Sequence, residues 1–275
     1  MCLRRSVAAL FLVSALSSAA AAEDVPVDVE LMLAVDVSRS MSPRELEIQR
    51  RGYAEALTDP EIMAVIDTGF YQKVALTYVE WSGTNAQRII VDWTEIGSSE
   101  DLESFAAQLT AEFQDILRRT SISGVLSYAP LSFAANGFRG DRRVIDVSGD
   151  GPNNQGRPIE PVRDAIIEQG FVINGLPLMT RDGVGWQFHL DDLDLYYKEC
   201  VIGGPLSFMI PVYSWEEFPL AVRRKILLEL AGDVPANPPR VMPANFRGLT
   251  EEGYDCLIGE KMWQMFMQQY RWLED

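Results

Sequence analysis

An α/β domain on a mostly parallel sheet is predicted by three features of the chain. Strand-like and helix-like segments alternate along it. The run Val29 to Val35 is apolar at all but one position, as befits a buried strand. Dense groups of turn residues stand where strands stop.

Val29 to Val35 is the first strand. Ser42-Pro43-Arg44-Glu45 then supplies a helix start, with a Ser cap, Pro at the first position and Glu three residues after the cap. That helix runs to about Leu57. Lys73 to Trp81 and Gln87 to Trp93 are strand-like and joined through Ser82-Gly83-Thr84-Asn85, which predicts an antiparallel pair at one edge of the sheet. Ser98-Ser99-Glu100-Asp101 caps a helix whose apolar face includes Leu102, Phe105, Ala106, Leu109 and Phe113. A second helix follows from about Ser123 to Ala135. Arg143 to Ser148 is the next strand, stopped at Gly149-Asp150-Gly151-Pro152-Asn153-Asn154. Pro158 to Gln169 is helical, Gly170 ends it, and Phe171 to Leu176 resumes the sheet. Leu206 to Val212 is a later strand and Trp215 to Ala231 the closing helix.

The 275 residues are 47% hydrophobic and 23% charged, which fits one globular domain with an extension and excludes wholesale disorder. Arg4-Arg5, the apolar stretch Val7 to Leu16 and the small residues ending at Ala22 have the layout of a secretory signal peptide, residues 1–22. The expected domain spans 23–232. Val234-Pro235-Ala236-Asn237-Pro238-Pro239 marks a stiff connector, and the remainder, 233–275, is too apolar at Lys261 to Leu273 for a free tail, so it is expected to pack on the domain. No other segment is long and apolar enough for a transmembrane span, so the mature protein is expected to be periplasmic or secreted. Loss of Arg4 and Arg5 with the leader takes the formal charge from -16 to -18, which repels nucleic acid. Cys200 and Cys256 survive processing, and an oxidising compartment favours a disulfide between them, a reduced buried pair being the alternative.

The chemistry concentrates at Asp36-Val37-Ser38-Arg39-Ser40, directly after the first strand. One carboxylate and two hydroxyls at alternate positions are hard oxygen groups, suited to Mg2+, which takes six oxygens and tolerates hydroxyls and waters among them. Ligands of open α/β sheets collect beyond the carboxyl ends of strands, where Asp150 also falls. Thr120, before another helix, adds a hydroxyl. Taken singly, these residues fit turn and capping roles as well. Asp191-Asp192-Leu193-Asp194 lacks the glycine and distal glutamate of a calcium loop. His189, the only histidine, has no Gly-x-Ser-x-Gly partner motif and reads as structural.

These residues resemble the von Willebrand factor A domain, whose metal-ion-dependent adhesion site uses Asp-x-Ser-x-Ser, a later Thr and a later Asp-Gly. The resemblance covers roughly Val27 to Ala231. It implies a Rossmann-like three-layer fold with a mostly parallel six-stranded sheet, one antiparallel edge strand and helices on both faces. It also implies Asp36, Ser38, Ser40, Thr120 and Asp150 as ligands of Mg2+, or of Mn2+, with Ser121 the alternative to Thr120. Ser148-Gly149 stands where that family more often has an apolar residue and Thr. Val147 to Asn154, Ile173-Asn174-Gly175-Leu176-Pro177 and Cys200-Val201-Ile202-Gly203-Gly204-Pro205 resemble a narrower group of exported bacterial proteins of this type, of unknown function. The implied role is a metal-dependent adhesion or assembly module that captures an acidic residue of a protein partner. Two alternatives stand beside it: a Mg2+-dependent phosphohydrolase with Asp36 as nucleophile, short of the usual second acid because position 38 is Ser, and a structural subunit without metal.

Overall fold

A computed structural model of the chain describes residues 23–111, 119–180, 189–232, 249–250 and 253–271. At its centre lies β1 (Val25–Asp36), buried without interruption from Val29 onward. It pairs in parallel with β2 (Val74–Trp81) on one side and β4 (Phe138–Gly149) on the other. β3 (Gln87–Ile96) adds an antiparallel edge beside β2, and β5 (Phe171–Pro177) extends the sheet in parallel beyond β4.

The sheet therefore has five strands in the order β3-β2-β1-β4-β5, not the six expected. Leu206 to Val212, the anticipated extra strand, meets β5 only through isolated parallel bridges, Gly175 with Met209 and Leu178 with Val212. Pro177 has no N–H to donate in this stretch, so the ladder breaks into single bridges.

Alternation along β1 sets the layers, because side chains two apart share a face. Val29, Leu31, Leu33 and Val35 enter a core with α1 (Pro43–Leu57), α2 (Pro60–Ile66) and α3 (Ser99–Ala111). Helix α7 (Phe218–Ala231) completes that layer through Phe218, Val222 and Ile226. Met32 and Ala34 face a second core with α4 (Ile122–Ala134), α5 (Ile159–Glu168) and the short α6 (Leu193–Tyr196), which runs on into a single π-helical turn, Tyr197–Val201. Cover on both faces explains why β1 is apolar nearly throughout.

The C-terminal helix α8 (Ile258–Arg271) is tied to the second layer. Cys256 forms the expected disulfide with Cys200, Cα to Cα 5.5 Å. Asn153 Nδ2 donates to Glu260 Oε1 at 2.7 Å, and the Arg119 guanidinium sits 3.4 Å from the centre of the Trp263 ring. The expected leader (1–22), Phe113 and the expected connector at 234–239 lie outside the described residues. No described helix is long and apolar enough to cross a membrane.

One ion cluster is wholly buried between β4 and α7. Lys225 lies 2.7 Å from Asp146 and also pairs with Glu229, one helical turn on. Asn174 Nδ2 donates to Glu229 Oε1 at 3.0 Å. Two acids share one cation, so burial and then Asp146 push the Glu229 carboxyl up to about 7, against the pull of Lys225. Removing one partner of a buried ion pair strands the other at a cost of about 3–5 kcal/mol, whereas an exposed pair contributes about 1 kcal/mol or less. Lys225→Met is accordingly expected to lower the urea-unfolding free energy by about 3–5 kcal/mol, and Arg51→Ala, which breaks an exposed pair with Glu47, by no more than about 1 kcal/mol.

Candidate metal centre

Chain direction creates a crevice between the carboxyl ends of β1 and β4. From β1 the connection crosses toward β2, and from β4 it crosses toward β5, so the two adjacent strands send their loops apart. Asp36 is the last residue of β1, and Asp150 follows the last residue of β4.

Hydrogen bonds join these two ends. The Ser38 amide donates to Asp36 Oδ1 at 2.7 Å, closing an Asx turn that brings the next side chains round. Ser38 Oγ and Ser40 Oγ are 3.0 Å apart, and Ser40 Oγ donates to Asp150 Oδ1 at 2.7 Å. Thus Asp36, Ser38, Ser40 and Asp150 form one connected set across the two strands. Behind it, Gln49 of α1 donates Nε2 to the Asp36 carbonyl at 3.2 Å. The same helix is fixed at its start by the expected capping box, Ser42 N to Glu45 Oε2 at 2.6 Å and Glu45 N to Ser42 Oγ at 3.3 Å.

Thr120 enters from the loop before α4. Its amide donates to Asn154 Oδ1 at 3.1 Å, and the Asn154 amide returns to the Thr120 carbonyl at 2.9 Å, which ties this loop to the one carrying Asp150. Ser121 is fully committed: its Oγ accepts from the Gly124 amide at 3.1 Å as the cap of α4 and donates to the Gln155 carbonyl at 2.8 Å. The Thr120 hydroxyl, by contrast, makes no hydrogen bond among the described residues. No hydrogen bond joins it to the other four residues either.

Comparison places this geometry among known folds. A family model described as a protein of unknown function (DUF1194) matches residues 26–234. The chain belongs to this family. No curated protein matches the sequence. Among solved structures, the pilus adhesin SpaC from Lactobacillus rhamnosus GG is 12% identical with a TM-score of 0.53, the match covering 76% of this chain and 32% of that one. A von Willebrand factor type A protein from Catenulispora acidiphila is 12% identical with a TM-score of 0.50, covering 74% of this chain and 43% of that one. Proximal thread matrix protein 1 from the mussel byssus is 17% identical with a TM-score of 0.49, covering 76% and 49%. The DUF1194 chain has a von Willebrand A-type fold and spans less than half the length of each of these three structures.

In the DUF1194 chain the two acids of the crevice sit uneasily. Burial first, and then the charge of Asp150, hold the Asp36 carboxyl well above the usual carboxylate range, against the hydrogen bonds from Ser38. Burial likewise raises Asp150 to about 6, with Ser40 pulling down and Glu45 pushing up. No lysine or arginine counters either charge among the described residues. Asp36 Oδ2 is buried and without a hydrogen-bond partner among the described residues. The described residues hold no cluster of three or more His, Cys, Asp or Glu. Whatever this site takes must therefore be met by hydroxyls and two carboxylates, a set that suits a hard cation.

Sequence reasoning missed Tyr197, and read Gly149 only as a departure from the resembled pattern, not as the residue that admits it. Tyr197 is fully buried, and its hydroxyl has no hydrogen-bond partner among the described residues. A Cβ at Gly149 would lie 2.9 Å from that hydroxyl and 3.1 Å from Asp36 Oδ2. The signal available in sequence was Gly149 itself, where the resemblance to the von Willebrand A domain implies Thr.

A carboxyl whose folded pKa is raised adds stability while protonated and loses it as pH climbs through that pKa. Asp150, at about 6 against an ordinary 3.8, therefore destabilises the metal-free protein between about pH 4 and pH 7. In EDTA the melting temperature is expected to fall from pH 5 to pH 7.5. Asp150→Asn removes a share of that fall on the order of 1 kcal/mol, read as a flatter profile of melting temperature against pH.

Proposed function

We propose that this chain is an exported module that holds a divalent cation, Mg2+ or Mn2+, at the crevice between β1 and β4 and uses it to capture an acidic residue of a protein partner. The observation that carries this reading is the connected Asp36, Ser38, Ser40 and Asp150 set, with a buried, unpartnered Asp36 oxygen and no internal cation opposite it. Ser38, Ser40 and Thr120 would hold the ion through their hydroxyls, and Asp36 and Asp150 directly or through water. Thr120 takes this role over Ser121 because the Ser121 hydroxyl is spent on capping α4. With few direct carboxylates, the bound ion supplies an under-neutralised electrophilic position for a partner's carboxylate. The adhesion or assembly role is read by analogy of fold with the pilus adhesin. Removal of residues 1–22 on export completes the reading.

The net charge, -16 for the whole chain and -18 once Arg4 and Arg5 leave with residues 1–22, opposes an acidic partner at long range, but the rim of the crevice runs the other way. Arg39 stands between Ser38 and Ser40, Arg44 on the first turn of α1, and Arg157 beyond the loop that holds Thr120. All three are exposed and without an ion-pair partner among the described residues. Unpaired arginines at the rim offer a partner's acidic flank charge-assisted contacts.

Thermal melting with Mg2+, Mn2+ or EDTA tests the metal. A ligand that binds only the folded state stabilises by about 2.7 kcal/mol at a hundred times its Kd, which for a domain of this size is a rise of roughly 5–10 °C. The rise is expected in wild type and absent in Asp36→Ala; a wild type indifferent to all three conditions rejects the reading. For the partner, a hexaglutamate peptide is expected to bind in Mg2+ and not in EDTA. Its affinity should fall with salt, and fall about tenfold in Arg39→Glu combined with Arg157→Glu. Equal binding in EDTA would show that the ion takes no part.

A further inference from the structure

The ring of Tyr197 crosses the carboxyl end of the sheet in a slot cleared by two glycines. A Cβ at Gly175 of β5 would lie 2.7 Å from Tyr197 Cδ1, and one at Gly149 of β4 would lie 2.9 Å from its hydroxyl. From β5 the ring passes over β4 and brings its oxygen toward β1, where Asp36 Oδ2 lies 3.1 Å from the same Gly149 position. The phenol and the free carboxylate oxygen thus flank one point in the interior. Both are buried and neither has a hydrogen-bond partner among the described residues.

Packing alone does not account for a tyrosine here. Phenylalanine would fill the same slot without burying a lone hydroxyl, which costs about 1–3 kcal/mol when unsatisfied. The segment that carries Tyr197 is a π-helical turn, a form of helix common at functional sites, and Cys200 in that turn is bonded to Cys256. A phenol is protonated at neutral pH, so it can only donate toward a carboxylate.

We propose that Tyr197 is a positioning residue of the metal centre, its O–H donating to Asp36 Oδ2 when a cation is held. This rests on the metal-site reading above. A carboxylate oxygen has two lone pairs and can accept the phenol while still facing an ion or its water. The bond would fix the rotation of the Asp36 carboxylate, so that its orientation toward the ion is set. Partners of metal-ligating groups typically change metal affinity by 10–100-fold, on the order of which Tyr197 is placed at the lower end.

The test compares wild type with Tyr197→Phe by Mg2+ and Mn2+ titration calorimetry and by melting in EDTA. The expected result is an ion affinity about tenfold weaker in Tyr197→Phe, with a melting temperature in EDTA that is unchanged or higher, since a lone buried hydroxyl has been removed. Equal ion affinity in the two proteins overturns the proposal. So does a variant that melts lower in EDTA and keeps its ion affinity, because Tyr197 is then structural. A wild type that binds neither ion removes the metal site itself, and this proposal with it.

Discussion

The centre of this protein depends on a carboxylate that the fold buries at the end of its middle strand. β1 is hydrogen-bonded on both sides and covered on both faces, so its last residue cannot reach bulk water: Asp36 is 0% exposed. An ionised carboxylate taken out of water costs several kcal/mol unless it is paired and hydrogen-bonded. The chain answers one oxygen with the Ser38 amide and brings a second acid, Asp150, into the same hydrogen-bonded set. It then leaves the other oxygen unanswered. The glycine at 149, the serines at 38 and 40 and the paired loops at Thr120 and Asn154 all follow from building around that carboxylate.

A second pair of acids, Asp146 of β4 and Glu229 of α7, received the opposite treatment. Asp146 points from β4 to the other face, where α7 supplies Lys225 to it and to Glu229. Four residues along that strand, Asp150 faces Asp36 with hydroxyls for company and no cation. The sequence has the means to neutralise buried acids from within, as the first pair demonstrates, and withholds them from the crevice. That contrast separates a structural polar cluster from a site left open to an external charge.

Much of this was legible in sequence because it is local. The apolar run of β1, the capping box at Ser42 and Glu45, and the Asp36, Ser38, Ser40 spacing are each written within a few residues. The short helix α2 was written too, in Asp59-Pro60 as cap and first residue, and went unread. β4 begins at Phe138 rather than Arg143 because its first residues pair through the backbone with Val25 to Val29 while their side chains stay largely at the surface, which leaves no apolar pattern. Lys225 reads as one charge among many on a helix, and only the packing of α7 on β4 reveals it as buried. Tyr197 reaches Asp36 from far along the chain, through a turn whose form no periodicity announces. The sixth strand failed for a different reason: Pro177 withholds a backbone donor from the ladder.

The bond between Cys200 and Cys256 closes a loop that takes in α7 and the whole segment between the domain and α8. A protease that nicks the chain anywhere from 201 to 255 therefore yields two polypeptides that remain one molecule. Helix α8 stays leashed to the turn that carries Tyr197, and the nick becomes visible only after reduction. In an oxidising compartment the C-terminal segment is thus retained by covalent bond even where its peptide continuity is lost.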